Sequence, residues 1–382
     1  MQSDAFQCQI EPALADQLQQ WLPPLLSNLS LGRAQIAIDQ LRSTLQSPTS
    51  GRIVVATARE LDVSDGKSEA DRLEAVEPDS DQNTPVAVAI AILPSDTLAE
   101  TGISDAATMV HAGTLKGDSF AISDQIVRRL GDCLAAELAR LGVSFVQWAT
   151  DPRAGFENDR DAESTARWCR GFDLETIATL DYLSGPADGQ ARSELVKDAT
   201  SPLEFSKLDF QDVSDSPIEA SRPWQQLVEL IQSTYAGTMD CPRLNEFRTV
   251  QQTLQGYRSA AAFDQRFWFT AIDRQTGEDA GCVILATHDK VVELVYMGLA
   301  PAARSRGFAA HLIAHAMDCA IAIGGDRLIL AVDRDNTPAK RLYELAGMKP
   351  MMSEEVWCKS ISKNAKPDQH RSHSETSHKR SS

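Results

Sequence analysis

The feature that most constrains the fold is an order of predicted elements that occurs twice along the chain. Hydrophobic periodicity predicts, in each half, two helices, three strands, a helix, a strand, a helix and a final strand. In the first half the predicted helices are 12–26, 31–45, 123–141 and 162–171, and the strands are 52–59, 85–93, 108–115, 143–150 and 176–183. In the second half the helices are 224–233, 244–259, 310–323 and 339–346, and the strands are 267–273, 281–287, 291–299, 327–332 and 354–359. Repetition of a whole element order indicates two copies of one α/β domain with a mixed sheet.

Composition sets the domain boundaries. We predict a first domain over 1–183, a Ser-, Asp- and Pro-rich linker over 184–221, and a second domain over 222–360. Residues 361–382 form a polar tail, whose three histidines are more typical of a solvated low-complexity segment than of a metal site. A polar insertion at 60–81, with nine acidic residues, lies between two strands of the first domain. With 382 residues, each copy is long enough to bury its own core.

The overall composition excludes several classes of protein. Hydrophobic residues make up 42% of the chain and aromatic ones 6%, as in ordinary globular proteins. No apolar run approaches the ~20 residues of a membrane-spanning helix, and the N-terminus lacks the features of a secretory signal. We therefore expect a cytoplasmic protein without membrane association. The seven cysteines are scattered without CxxC spacing, so we expect reduced thiols and neither disulfides nor a metal site.

The net charge of −17 argues against nucleic acid as a partner, because a polyanion would be repelled. The same charge is compatible with an amine or cationic substrate. Acidity more often serves solubility alone, so both explanations stay open.

The segment Arg304–Ala309 carries the strongest chemical signal. The apolar strand 291–299 leads into it and the helix 310–323 follows it. A loop of small residues at a helix N-terminus leaves backbone N–H groups unpaired and lies at the positive end of the helix dipole, which favours a bound phosphate or pyrophosphate. Gly307 and Ala309 allow close approach of the backbone to an anion, while Arg304 and Arg306 add donors. Taken alone, the six residues are better explained as an ordinary solvated turn that carries two arginines.

A second pattern follows this loop and changes that balance. The chain reads Arg-x-x-Gly-x-Ala from Arg304, and then Asn-x-x-Ala-x-x-Leu-Tyr-x-x-x-Gly-Met from Asn336. Both patterns, in this order and at this separation, resemble the GCN5-related N-acetyltransferase superfamily. The resemblance covers 267–352 well and 224–266 loosely. Ala309 stands where the final glycine is commoner.

The resemblance implies where coenzyme A would bind. The loop would hold its pyrophosphate, and the helix after Asn336 would lie beside the pantetheine arm. The strand before the loop would separate from its neighbour, so that its free N–H groups polarise the thioester carbonyl. The implied cofactor-binding residues are Met297, Gly298, Leu299, Arg304, Ser305, Arg306, Gly307, Phe308, Ala309, Ala310 and Asn336. No metal is needed for this chemistry.

Two side chains are candidates for proton transfer. Tyr343 would protonate the leaving thiolate, as the superfamily often places a tyrosine on this helix; otherwise it is a core aromatic. Glu293 would draw a proton from the amine through water, as at this spacing in the histone-acetylating branch; otherwise it faces solvent by strand alternation. Tyr296 and His288 are weaker candidates for substrate contact or proton relay.

The segment 235–243 joins the first two helices of the second half, and in the superfamily this connection overhangs the acceptor site. Its Asp240 and Cys241 would then contact substrate, although a capped loop is the better explanation of them.

The first half lacks the matching signals. Its loop Lys116–Ile122 has no Arg-x-x-Gly-x-Ala spacing and carries Asp118, which would repel a pyrophosphate. Its later helix ends in Gly171–Phe172 without a tyrosine matching Tyr343. We therefore expect a degenerate acetyltransferase-like domain that does not bind coenzyme A.

The resemblance implies an acyl-CoA-dependent N-acyltransferase. It would move an acetyl or other short acyl group directly to a primary amine of a small molecule or a peptide. Two alternatives remain at this point: a non-catalytic acyl-CoA-binding or assembly module, and an enzyme that acetylates a protein N-terminus or lysine.

Overall fold

A computed structural model of the chain describes residues 6–46, 51–60, 84–94, 106–116, 122–152, 159–197, 200–210, 218–260, 264–288 and 290–361. The predicted acidic insertion after Glu60, the loop 117–121 and the tail from 362 lie outside these residues.

Twelve strands within the described residues form one mixed sheet. The strands are β1 Phe6–Glu11, β2 Gly51–Glu60, β3 Ala87–Pro94, β4 Ala106–Thr114, β5 Phe145–Thr150, β6 Glu175–Pro186, β7 Leu203–Lys207, β8 Trp268–Asp273, β9 Asp279–His288, β10 Val291–Leu299, β11 Arg327–Asp333 and β12 Lys349–Ser360. The helices are α1 Ala15–Leu25, α2 Leu31–Gln46, α3 Asp124–Arg140, α4 Asp159–Gly171, α5 Gly189–Leu195, α6 Arg222–Thr234, α7 Val250–Ala260, α8 Phe308–Ala322 and α9 Thr337–Leu345. The predicted α/β class with a mixed sheet is confirmed.

The two halves have the same topology. β1–β6 belong to the first half and β7–β12 to the second, and in each the fourth and fifth strands are parallel neighbours while the other pairs are antiparallel. Each half opens with a strand, β1 or β7, that the sequence analysis did not predict. Both are short and polar and pair on one side only, with β2 and β8, so little apolar alternation marks them.

The last strands of the two halves are exchanged. The order across the sheet is β1-β2-β3-β4-β5-β12-β6-β11-β10-β9-β8-β7. Thus β12 of the second half pairs with β5 of the first, from Glu355 opposite Thr150 to Ser360 opposite Phe145. In return β6 pairs with β11, from Arg327 opposite Pro186 to Asp333 opposite Leu180. The sheet is therefore continuous through the middle of the molecule.

This arrangement corrects the linker prediction. The range 184–221 contains the end of β6, helix α5 and the edge strand β7, so much of it is built into the fold. Its polar composition reflects an edge strand and a short surface helix.

Side chains also join the halves. Arg33 of α2 forms a buried ion pair with Glu354 of β12, at 2.5 Å between Nη2 and Oε1, and the Tyr182 hydroxyl donates to the same carboxylate at 2.9 Å. Because an unpaired buried charge is costly, loss of either Arg33 or Glu354 would destabilise the junction.

The helices cover both faces of the sheet. In α6, Trp224, Leu227, Leu230 and Ile231 recur at helical spacing and lie buried against β8 and β9, while the Ser221 hydroxyl caps the helix by accepting from the N–H of Trp224 at 3.3 Å. Each fully buried side chain of this size contributes about 1.5–3 kcal/mol. Helix α8 packs on the opposite face against β9–β11.

Candidate active site

The parallel strands β10 and β11 separate halfway along their length. Their pairing runs from Val291 opposite Arg327 to Leu294 opposite Leu330 and then stops. At this point β10 has a bulge against β9, between Leu294 and Tyr296. Beyond the bulge, β10 pairs only with β9, so its other edge faces a wedge-shaped gap. The separation that the family resemblance implied is thus present.

The loop after β10 presents its backbone to this gap. Ser305 and Gly307 have left-handed φ values of 61° and 77°, and Gly307 starts α8 without a side-chain cap. Within the described residues, the five N–H groups from Ser305 to Ala309 make no backbone hydrogen bond. Free N–H groups in a row at a helix N-terminus are suited to binding an anion such as a pyrophosphate.

The two arginines of the loop are engaged with the protein itself. Arg304 donates to the carbonyls of Thr234 and Ala236 at 2.7 Å each, closing the C-terminal end of α6. Arg306 binds the buried carboxylate of Asp273 at 2.6 Å and lies 4.4 Å from the ring centroid of Phe308. Their side chains brace the loop, so the donors available to an anion are the backbone groups.

Two adjoining cavities open on the gap. The smaller, about 330 Å³, runs between the end of β10, the loop and α9, and the larger, about 650 Å³, extends beneath the loop that follows α6. Nine of the eleven predicted cofactor-binding residues line one or both: Met297, Gly298, Leu299, Arg304, Ser305, Gly307, Ala309, Ala310 and Asn336.

Two predicted cofactor residues do not line either cavity. Arg306 points to Asp273, and Phe308 is buried in the core beneath it. Three residues absent from the prediction, Pro338, Ala339 and Leu342, line the smaller cavity. Their helical spacing puts them on one face of α9, a signal that was available in the sequence.

The start of α9 is fixed by the other half of the molecule. Asp181 of β6 accepts from Lys340 at 2.7 Å, from Arg334 at 2.9 Å and from Ser353 at 2.8 Å. Burial would raise the pKa of Asp181, but these hydrogen bonds outweigh it and lower the pKa to about 2. Asn336 caps the helix by accepting from the N–H of Ala339 at 3.3 Å. The exchanged strand therefore holds the helix that lines the smaller cavity.

The candidate acid and base lie outside the two cavities. Tyr343 belongs to α9, and its side chain is buried in the core with 7% exposure. This burial raises the pKa of its phenol. Glu293 sits at the paired end of β10, where its carboxylate is 3.0 Å from Nε2 of His288 and 38% exposed. Neither is among the residues that line the cavities, and their proton-transfer roles stay predictions.

Three tyrosines form one wall of the larger cavity. The ring of Tyr296 lies 6.0 Å from that of Tyr257 and 6.2 Å from that of Tyr235. The Tyr296 hydroxyl is 2.6 Å from Thr234 Oγ1, and an ideal Cβ on Gly298 would lie 2.7 Å from that hydroxyl. The glycine thus makes room for Tyr296 beside the gap. Tyr235 and Tyr257 were not predicted as site residues because only the folded helix pair brings them to β10.

Asp240 and Cys241 also line the larger cavity, at the end of β11. The N–H of Asp333 donates to Asp240 at 3.0 Å, and the N–H of Cys241 donates to Asp333 at 3.1 Å, so two carboxylates are tied together. Loss of solvation where the Asp240 carboxylate packs against its neighbours is the largest cause raising its pKa above the ordinary value, although the residue as a whole stays exposed to solvent. The charge of Asp333 acts in the same direction, against hydrogen bonds from the Asp333 N–H and the Asn336 amide.

Comparison with known proteins agrees with this geometry. Residues 224–348 match the model of the Acetyltransferase (GNAT) family. A GCN5-related N-acetyltransferase from Sphaerobacter thermophilus is similar with a TM-score of 0.51 at 12% identity, over 93% of this chain and 96% of that one. A glucosamine N-acetyltransferase region of a fungal multi-domain GH3 beta-N-acetylglucosaminidase also gives 0.51, at 11% identity, over 93% of this chain and 38% of that one. A tandem GNAT protein from the clavulanic acid biosynthesis pathway gives 0.44 at 10% identity, over 94% and 99%.

The family match therefore covers the domain in the second half of the chain, and the first half repeats the same strand topology. The family uses acetyl-CoA as co-substrate for acyl transfer. No curated protein matches the sequence. Within the described residues, no helix has the length and apolar character needed to cross a membrane.

Proposed function

We propose that the second half transfers an acetyl or other short acyl group from coenzyme A directly to a primary amine. The observation that carries the proposal is the gap between β10 and β11, with five free N–H groups of the loop at one end of it. The loop suits the pyrophosphate, and the unpaired edge of β10 suits the pantetheine and the thioester carbonyl.

The residues present fit coenzyme A in a further respect. An ideal Cβ on Gly307 would meet no protein atom within 4 Å, so the space beside the loop is open at the position where an anion would approach. The amine would enter the larger cavity from the side of α6 and α7. There the two reactants would meet beside Gly298 and Tyr296, and holding them together supplies much of the rate enhancement.

Coenzyme A binding to the full chain is the first test. We expect one equivalent per chain by calorimetry, and Gly307→Val should weaken binding about 10–100-fold, the loss expected for one or two hydrogen bonds to a charged group. Gly324→Val is the matched control. Gly324 also has a left-handed φ, 78°, and an ideal Cβ there would meet no atom within 4 Å, but it lies just after the C-terminal end of α8, away from the loop. Both variants carry similar backbone strain of at least about 1 kcal/mol.

The outcomes separate the alternatives. Equal binding by the Gly307 and Gly324 variants would make the loop a structural turn. Tight coenzyme A binding without acyl transfer to any member of an amine panel would favour the non-catalytic binding module.

A further inference from the structure

The larger cavity is lined by a carboxylate, that of Asp240, which has no cationic side chain paired with it among the described residues. Among the residues that line it, Asp240 and Arg304 are the charged ones, and Arg304 directs its guanidinium to main-chain carbonyls of α6, β10 and the following loop. Within the described part of the chain, no cation forms an ion pair with Asp240 or with its neighbour Asp333. A bound ammonium group would therefore give Asp240 the ion-pair partner that the described residues do not supply.

The rest of the wall is aromatic and apolar. The rings of Tyr235, Tyr257 and Tyr296 stand together on one side, and Met239, Leu244 and Val295 complete the lining. Faces of tyrosine rings attract cations and pack well against apolar groups. The cavity thus combines a site for a positive charge with a site for an apolar body.

We propose that Asp240 binds the ammonium group of the acceptor and removes its proton, and that the tyrosine wall selects a primary amine carried on an apolar or aromatic body. This inference rests on the proposed acyl transfer and deepens it. It places the base on the cavity wall, in contrast to Glu293, whose carboxylate is paired with His288 away from the cavity.

The proton balance of the step is simple. The ammonium gives one proton to Asp240, which later releases it to solvent. The freed nitrogen lone pair attacks the thioester carbonyl carbon, a C–N bond forms and the C–S bond breaks. The departing sulfur takes the second amine proton, and the third stays on the product amide nitrogen.

The surroundings of Asp240 favour this exchange. A carboxylate whose pKa is raised accepts a proton more readily from an ammonium ion near neutral pH. Titratable groups face it from every neighbouring element: Tyr235 directly after α6, Cys241 of the loop, Tyr257 of α7, Tyr296 of β10, Asp333 of β11 and Tyr343 of α9. The burial-raised pKa values of these tyrosines and of Cys241 keep them neutral.

The experiment follows acyl transfer from acetyl-CoA by release of free thiol from the full chain. The acceptor probes are 2-phenylethylamine, hexylamine and ethanolamine. Asp240→Asn keeps the size and an acceptor for the Asp333 N–H, and it should lower kcat/KM about 10²–10⁴-fold at pH 7. Its rate should then rise with pH until the amine deprotonates by itself. Asp335→Asn, an exposed carboxylate two residues beyond Asp333, is the matched control and should behave as wild type.

The readouts distinguish a local from a general failure. Unchanged coenzyme A affinity in the Asp240 variant shows that its fold is intact. A wild-type rate and pH profile in that variant would overturn the assignment, as would equal use of ethanolamine and 2-phenylethylamine by the wild type. If Glu293→Gln instead shows the altered profile, Glu293 is the base. Absence of thiol release from the wild type with every amine would reject the proposed function itself.

Discussion

In both halves the parallel fourth and fifth strands separate beside a bulge, but the side chains around the separation differ. Strands β4 and β5 separate after Met109 opposite Trp148, just as β10 and β11 separate after Leu294 opposite Leu330. Each fourth strand has a bulge one residue later. In this register His111 corresponds to Tyr296. The bulge and the separation thus belong to the fold and do not depend on the chemistry nearby.

The side chains at the corresponding positions of the two halves have different surroundings. His111 is buried, edge-on to Trp148 at 5.8 Å between ring centroids, while Tyr296 borders a cavity. At the end of the fifth strand, Asp151 accepts from the backbone N–H and hydroxyl of Ser30, where the second half pairs Asp333 with Asp240. The first half thus keeps the carboxylate at the end of its fifth strand, Asp151, which holds the loop before α2. Among its described residues it lacks a counterpart of Asp240, the carboxylate proposed to bind the amine.

The end of the fourth helix also differs, and it corrects a sequence expectation. The N–H of Leu174 donates to the Cys169 carbonyl as that of Met348 does to Tyr343, so Asp173, with a φ of 59°, is the counterpart of Gly347. The Gly171–Phe172 ending therefore lies two residues out of register, and Cys169 occupies the place of Tyr343. The prediction that the first half does not bind coenzyme A remains to be tested.

The largest effect expected from this comparison is on acid stability. Burial lowers the pKa of His111 to about 4 in the folded protein, whereas the pKa in the unfolded chain is 6.5. Between these two pH values, unfolding is therefore accompanied by protonation of His111. Stability should fall by about 3 kcal/mol as pH drops through this window, since the unfolded state binds more protons. Denaturant titrations of the wild type and of His111→Gln would show it, with His288→Gln, a half-exposed histidine, as the control. The same slope in His111→Gln and wild type would contradict it.

A smaller effect is expected at the contact between halves. The lowered pKa of Asp181 means that its stabilising contribution is present above the unfolded pKa and is lost as pH falls from about 4 to 2. Asp181→Asn should therefore cost roughly 2 kcal/mol at pH 7, and its difference from wild type should vanish near pH 2. Glu355→Gln is the control at the corresponding position of β12. A pH-independent difference would mean that packing, and not charge, fastens α9.

The smallest effect compares two glycines at the same place in the two halves. An ideal Cβ on Gly298 would come within 2.7 Å of the Tyr296 hydroxyl and 2.9 Å of Thr234, whereas on Gly113 its nearest contact is Leu25 at 3.2 Å. Gly298→Ala should thus destabilise the protein more than Gly113→Ala, by about 1 kcal/mol, within the usual range for overpacking. Chemical denaturation measures both, and equal losses would show that Tyr296 moves aside freely.

Local patterns were sufficient for much of the fold and for the position of the loop 304–309 between a strand and a helix. The loop around Gly307 and the helix that follows it were predicted because their signals lie within a few residues of sequence. The roles of the arginine side chains were not, since Arg304 binds Thr234 and Arg306 binds Asp273, 70 and 33 residues away.

Contacts between residues far apart in sequence explain the features that were not predicted. Strand β12 lies between β5 and β6, and nothing in its own residues 349–360 specifies those neighbours. Asp240 was considered for substrate contact, but a capped loop was the preferred explanation of its segment. Its place in a cavity depends on α6, α7, β10 and β11 together, which no single stretch of sequence encodes.

Because the last strands are exchanged, each half supplies a strand to the part of the sheet formed by the other half. A break in the connection between β7 and α6 would give two fragments that remain interlocked through β5, β12, β6 and β11, so they should associate and complement one another. In evolutionary terms, the first copy can drift at its own gap without becoming dispensable. Its deletion would remove β6, the strand between β11 and β12, and with it the support for the helix that borders the second copy's cavity.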